Sequence, residues 1–420
     1  MHGRILAVSG LAFALNTPIQ AQDWTQWRGP TRDGFVSENM VPESLEPDVL
    51  REEWSIPLQS SYSSPIVVGD TVILTETRNQ ENEVVSAWDW KKREKLWEAS
   101  WEGAMRVPFF ARANGSWIRS TPLYADGVVY VGGMRDVLAA VDVENGEILW
   151  RKDFVEELET ALPDFGFVSS PMLVDGGICV QAGGSFVKID GQSGEIVWRT
   201  LVDGGGTMGS AFSSPVRATI GGVDTLIVQT RAELTGVAPE DGAVLWKQPV
   251  EAFRGMNILT PAVVDDAIIT SAYGGKTHRF TPASSDDGWG VDENWVNKLQ
   301  GYMSQPTIIG DHAYLHLRNQ RVACFSVSTG EIQWTSTERF GKYWSWVASE
   351  DRILALDQTG ELILLRANPS ELEILGRRQI SEQETWAHLV SAYDRLFIRE
   401  LEGLKVLTWQ DPTLSATPTP

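Results

Sequence analysis

Ala140-Val141-Asp142-Val143-Glu144-Asn145-Gly146-Glu147-Ile148-Leu149-Trp150 reads as two apolar strands joined by a tight turn. Its aspartate can accept hydrogen bonds from the turn amides, and its glycine can supply a positive φ. The phrase returns as Lys188-Ile189-Asp190…Gly194-Glu195…Trp198 and as Gly236-Val237-Ala238…Gly242-Ala243…Trp246. The closing tryptophans of these copies follow one another at about 48 residues, the period of a repeat architecture. Three looser copies end at Trp97, Trp295 and Trp334.

Outward from the phrase, each unit opens on a Ser/Thr-Pro step and a β-branched run, as in Ser64-Pro65-Ile66-Val67-Val68 and Ser214-Pro215-Val216. Proline cannot donate to a sheet ladder, so it belongs at the start of a strand. A turn such as Ala125-Asp126-Gly127 then leads into a second apolar run. Four antiparallel strands per unit of this length make one propeller blade. Beyond the six clear units, a seventh runs through Trp346, Arg352 to Leu356 and Glu361 to Leu365. An eighth runs from Trp386 to Trp409 and offers only three strands. Glu53-Trp54-Ser55-Ile56-Pro57 resembles a fourth strand with no blade of its own. The fold predicted is all-β: an eight-bladed β-propeller of four-stranded antiparallel blades, its ring closed by the N-terminal strand. Trp54, Trp97, Trp150, Trp198, Trp246, Trp295 and Trp334 are expected to hold the blades together.

The ends and the composition bound the setting. Residues 1–21 read as a signal peptide: a weakly basic start, an apolar run from Ile5 to Leu15, and cleavage near Ala21. Residues 22–50 form a leader segment expected to pack on the propeller, 51–410 the single propeller, and 411–420 a disordered tail. No later segment has the length and apolarity of a membrane span, so no direct membrane insertion is expected. A monomer in the periplasm or outside the cell is the expectation. The formal charge of −21 opposes nucleic-acid binding. Cys179 and Cys324, the two cysteines, lie in different repeats and read as buried, unpaired thiols.

The repeat resembles that of the eight-bladed propellers with pyrroloquinoline-quinone (PQQ)-like repeats. This superfamily includes quinoprotein alcohol dehydrogenases and the outer-membrane assembly scaffold BamB. The opening Trp24-Thr25-Gln26-Trp27-Arg28-Gly29-Pro30 is similar to the leader of its secreted members. The resemblance implies a non-catalytic extracytoplasmic binding or scaffold protein of BamB-like architecture. Its partner would be an envelope or secreted protein or a small ligand, and no cofactor is expected. The alternative is a PQQ-dependent periplasmic alcohol or sugar dehydrogenase, which would bind PQQ and Ca²⁺. That family's adjacent-cysteine pair is missing here, no metal-ligand spacing stands out, and no catalytic residue is assigned.

In such a ring the loops before the Ser/Thr-Pro steps surround the central funnel, so function should concentrate there. The candidates for ligand or partner contact are Arg106, Trp117, Arg119, Phe167, Phe212 and Asn257. Tyr302, Trp344 and His388 join them from later blades, with Arg231 and Arg318 from the loops between second and third strands. Aromatics with a few cations and amides around a concavity suit a small molecule or an anion.

Overall fold

The structure is a computed structural model that describes residues 23–203 and 211–409. The expected signal peptide and C-terminal tail lie outside the described residues. Eight four-stranded antiparallel sheets follow one another around a ring. Blade one is Ile66–Val68, Thr71–Arg78, Asn82–Asp89 and Glu94–Glu102, from the inside outward. Blades two to seven begin at Leu123, Met172, Val216, Ala262, Thr307 and Trp344. Blade eight has Val390–Ala392, Arg395–Glu400 and Gly403–Thr408, and its outer strand is Arg51–Pro57 from the start of the chain. Trp54 pairs with Val406 across that joint. The ring is therefore closed as the sequence predicts, with the N-terminal strand completing blade eight on its outer side.

Middle strands are buried on both faces because each blade is covered by two neighbours. Thr71–Arg78 is buried along nearly its whole length, whereas the outer strand Glu94–Glu102 alternates buried and exposed residues. In blades one to seven the third and fourth strands share a bulge at an equivalent place, after Ala87, Ala140, Lys188, Gly236, Arg279, Cys324 and Leu364. The residue opposite is Trp in the first six and Gly376 in the seventh. Bulges sharpen the local twist.

Five of these six tryptophans hydrogen-bond the next blade, while the indole N–H of Trp246 is buried without a partner. The Trp97 indole N–H donates to Val143 O at 2.7 Å, and that of Trp150 to Gly191 O at 3.0 Å. Trp198, Trp295 and Trp334 repeat the contact with Pro239, Val327 and Asn368. The ring itself lies against the glycine of the neighbour's turn. A Cβ on Gly194 would sit 2.8 Å from Trp150 Cδ2, and Gly194 has φ +76°. The Asp-x-x-x-Gly turn is thus a socket for the preceding blade's tryptophan. Asp190 shapes it by accepting from Gln192 N–H and Ser193 N–H. At Gly376, where the seventh blade lacks a tryptophan, Leu45 packs close to the vacant Cβ position.

Leu45 belongs to the segment before the ring. There Trp24 bridges to Val67, Phe35 to Ala348, and Trp24, Val36, Met40 and Leu50 join the core of blades one, seven and eight. Both cysteines are buried and free. Arg399 is buried in blade eight and donates to five carbonyls: Glu400, Leu401 and Gly403 of its own blade, Gln59 of the segment linking the closing strand to blade one, and Thr75 of blade one.

Candidate functional site

The Ser/Thr-Pro steps converge on the ring axis. Thr121 N–H donates to Ser170 Oγ, Ser170 N–H to Ser214 Oγ, and Ser214 N–H to Thr260 Oγ1, all at 3.0–3.1 Å. Across the closing blade, His388 N–H donates to Ser64 Oγ at 2.7 Å. At these four junctions the hydroxyl before the proline ties an inner strand to its neighbour. Above this belt lies a cavity of about 380 Å³.

One rule relates the cavity to the repeat. The residue three before each repeat proline is Tyr62, Arg119, Val168, Phe212, Ile258 or Met303, and all six line the cavity. The residue two before it lines it in none of the six repeats. An extended chain alternates its faces, so position three, joined by position one in four repeats, takes the axial side while position two turns toward the blades.

Arg119 and Phe212 follow from this alternation, whereas Tyr302, four before Pro306, lines the cavity against it, and His388 belongs to a blade without the repeat proline. Arg119, Phe212, Tyr302 and His388 come together on the cavity wall. Phe167, four before its proline, turns instead into the blade core against Phe154. Trp344 is likewise buried, its indole N–H on Asp357 and its ring against Phe340. Asn257 spends its amide on the carbonyls of Thr230, Arg231 and Val250. Trp117 stands behind the wall, its indole beside the Tyr62 phenol over Gly115. Arg318 lies 4.4 Å over the Tyr273 ring, supporting a wall residue from outside. Arg231 pairs with Asp203 at 2.8 Å beside a separate small depression, and Arg106 is exposed on the loop before blade two.

The floor was not among the candidates. It is Trp27, carried up the axis by the leader. The knot Arg28-Gly29-Pro30-Thr31-Arg32 holds it, with positive φ at Arg28, Gly29 and Arg32. Arg32 donates to Pro215 O, Pro171 O and Ser170 O of the inner strands and to the Gln26 amide oxygen. Trp27 meets His388 edge to face at 5.4 Å. Tyr343 and Trp386, also on the wall, stack at 11° between planes.

The chemistry of the lining is lopsided. Arg119, Arg254 and Lys342 supply positive charge, and among the described residues no aspartate or glutamate lines the cavity. Burial pushes His388 down to about 3, so its ring is neutral at physiological pH. Burial pushes Tyr62 up to about 12 and raises Tyr302 and Tyr343 as well. No shifted group on the wall is poised near neutrality, where general acid–base catalysis is most effective. A quinone held with calcium also does not fit these residues, because a hard cation needs carboxylate or carbonyl oxygens. Among the described residues no group of three or more His, Cys, Asp or Glu could hold a metal ion.

Glu83 stands behind Arg119, fully buried, with both carboxyl oxygens 2.9 Å from Met134 N. Burial raises its pKa from 4.5 to about 8. The folded state therefore holds this proton where the unfolded chain has lost it, and stability should fall as pH rises from about 5 to 8. Asp136, pushed up to about 6, acts in the same direction, while His316 and His388, pushed down, act oppositely below 6.5. The difference in stability between Glu83→Gln and the parent should thus grow across that window and level off above it. Denaturant titrations at stepped pH check this, and a flat difference would refute it.

The sequence matches the family described as "Outer membrane protein assembly factor BamB" over residues 81–336. It is 22% identical to the BamB of Yersinia pestis over 320 residues, covering 66% of this chain and 75% of that protein. Among solved structures, BamB from Moraxella catarrhalis superposes with a TM-score of 0.62 at 18% identity, over 86% of this chain and 98% of the other. Quinohemoprotein alcohol dehydrogenase from Comamonas testosteroni gives 0.64 at 11% identity, over 95% and 82%. At these identities both structures share the fold and nothing finer.

Proposed function

The chain belongs to the family described as outer membrane protein assembly factor BamB, and from that premise we propose a non-catalytic, protein-binding propeller of the cell envelope. The observation that carries this reading is the rim of the funnel. Phe109 is 79% exposed and Phe253 52% exposed, on the loops that lead into blades two and five. Exposed aromatics beside a concavity are the usual anchors of a protein interface. A wall without a group poised for proton transfer supports binding over turnover. The signal-like residues 1–21 agree with export, and action in outer-membrane protein assembly is carried over from the relatives as part of the proposal.

Deleting the gene should lower the level of outer-membrane proteins in the cell of origin. The parent chain, and a Val223→Ser control on a blade-four turn, should restore it. Phe109→Ser/Phe253→Ser should fail to restore it while folding as the parent does. Full restoration by that double variant would refute the rim, and unchanged levels in the deletion would refute the assembly role. Dye-linked alcohol oxidation by the purified protein with PQQ and calcium would overturn the non-catalytic reading and favour the dehydrogenase.

A further inference from the structure

We propose that the funnel binds a small planar aromatic anion, of the aryl carboxylate class, without a metal ion. The proposal goes beyond the protein-binding reading of the rim and stands if that reading fails.

Charge is the first observation. Acidic residues outnumber basic ones 56 to 35 in the whole chain, yet among the described residues the cavity wall has three cations and no carboxylate. Two more cations lie by the floor, Arg28 and Arg32, with guanidinium carbons 5.8 and 5.3 Å from the Trp27 ring centre. The nearest carboxylates stand outside the wall. Glu83 is behind Arg119, Asp33 is beside Arg28, and the exposed Glu384, close enough to act on Tyr62, is engaged by the Trp386 indole N–H. Positive charge gathered in a concave, partly desolvated site attracts an anion much more strongly than the same charge in open water. An acidic exterior would repel that anion everywhere else.

Shape is the second. The stacked pair Tyr343–Trp386, the Trp27 floor and Tyr302 present ring faces to one space. A cavity of about 380 Å³ is of the size that takes one or two fused rings. Flat walls favour a flat guest through offset or edge-to-face ring contacts. The hydroxyl belt beneath, including Ser170 and Ser214, offers neutral donors to a carboxylate that reaches the axis.

The probe pair is naphthalene-2-carboxylate and the neutral naphthalene-2-methanol, titrated calorimetrically into the mature full chain with excess EDTA. The carboxylate should bind at one site, and the alcohol at least tenfold more weakly. Arg119→Gln should weaken the carboxylate by roughly ten- to a hundredfold, the range for losing a hydrogen bond to a charged group. Arg119 also donates to Gly115 O and Trp117 O, so its loss could disturb the loop. Arg254→Gln/Lys342→Gln, at two exposed positions, should weaken the carboxylate severalfold with folding intact. Equal binding of the two probes would overturn the proposal. So would parent-like affinity in the exposed double variant, carboxylate binding that EDTA abolishes, or no binding at millimolar probe.

Discussion

Arg399→Met is expected to lower stability by about 3–5 kcal/mol, the range for breaking a buried charged network. The five carbonyls it serves belong to both sides of the joint where the ring closes. Methionine fills a similar volume but donates nothing, so those oxygens would be buried with fewer partners. Burial lowers Arg399 to about 10, which leaves it charged throughout the physiological range. Lysine should not rescue, because one ammonium cannot span carbonyls in two blades as a planar guanidinium does. The check is the midpoint of guanidinium unfolding together with limited proteolysis. The variant should show an earlier midpoint and new cleavage near residues 58–61, between the closing strand and blade one. A parent-like midpoint would show that the outer strand Arg51–Pro57 alone carries the closure.

The ring was legible in the sequence because its period is enforced by chemistry that repeats. A proline must begin the strand, a glycine must take positive φ, and a tryptophan must find a broad surface. Even the closing strand could be read, since Trp54 sits in a phrase like the one around Trp198. The site was only partly legible. Arg119, Phe212, Tyr302 and His388 could be picked out as loop aromatics and cations, but so could Phe167 and Trp344, which face the blades. For Arg119, Phe212 and Phe167 what separates them is side-chain direction, fixed by counting back from the proline; Tyr302, at the same count as Phe167, still reaches the cavity, and the blades of Trp344 and His388 carry no such proline. That count was available in the sequence and would have found Tyr62 and excluded Phe167. The Trp27 floor follows no such rule. It comes from a segment outside the repeat, folded by bonds from Arg32 to carbonyls more than 130 residues away. No local pattern encodes such a contact.

Gly194→Val should cost about 3–5 kcal/mol, from two separable causes. The first is backbone strain, since φ +76° is a left-handed conformation that β-branched residues avoid, at roughly 1–3 kcal/mol. The second is overpacking, roughly another 1–3 kcal/mol, because the new Cβ would press on Trp150. Gly310 separates them. It also has positive φ, +57°, in the hairpin turn of blade six, but a Cβ there would meet nothing within 4 Å. Gly310→Ala should therefore show strain alone, and Gly194→Ala should cost more by the docking contribution. Adding Trp150→Leu to Gly194→Ala should recover part of that excess, while the same change beside Gly310→Ala should recover none. Denaturant midpoints for these five variants, with Trp150→Leu alone as the reference for both double variants, test this. Equal costs at Gly194 and Gly310 would mean that the turn glycines are kept for their backbone alone. In that case the tryptophan phrase that sets the period would reflect burial within a blade, and the socket in the next blade would contribute nothing to holding the ring together.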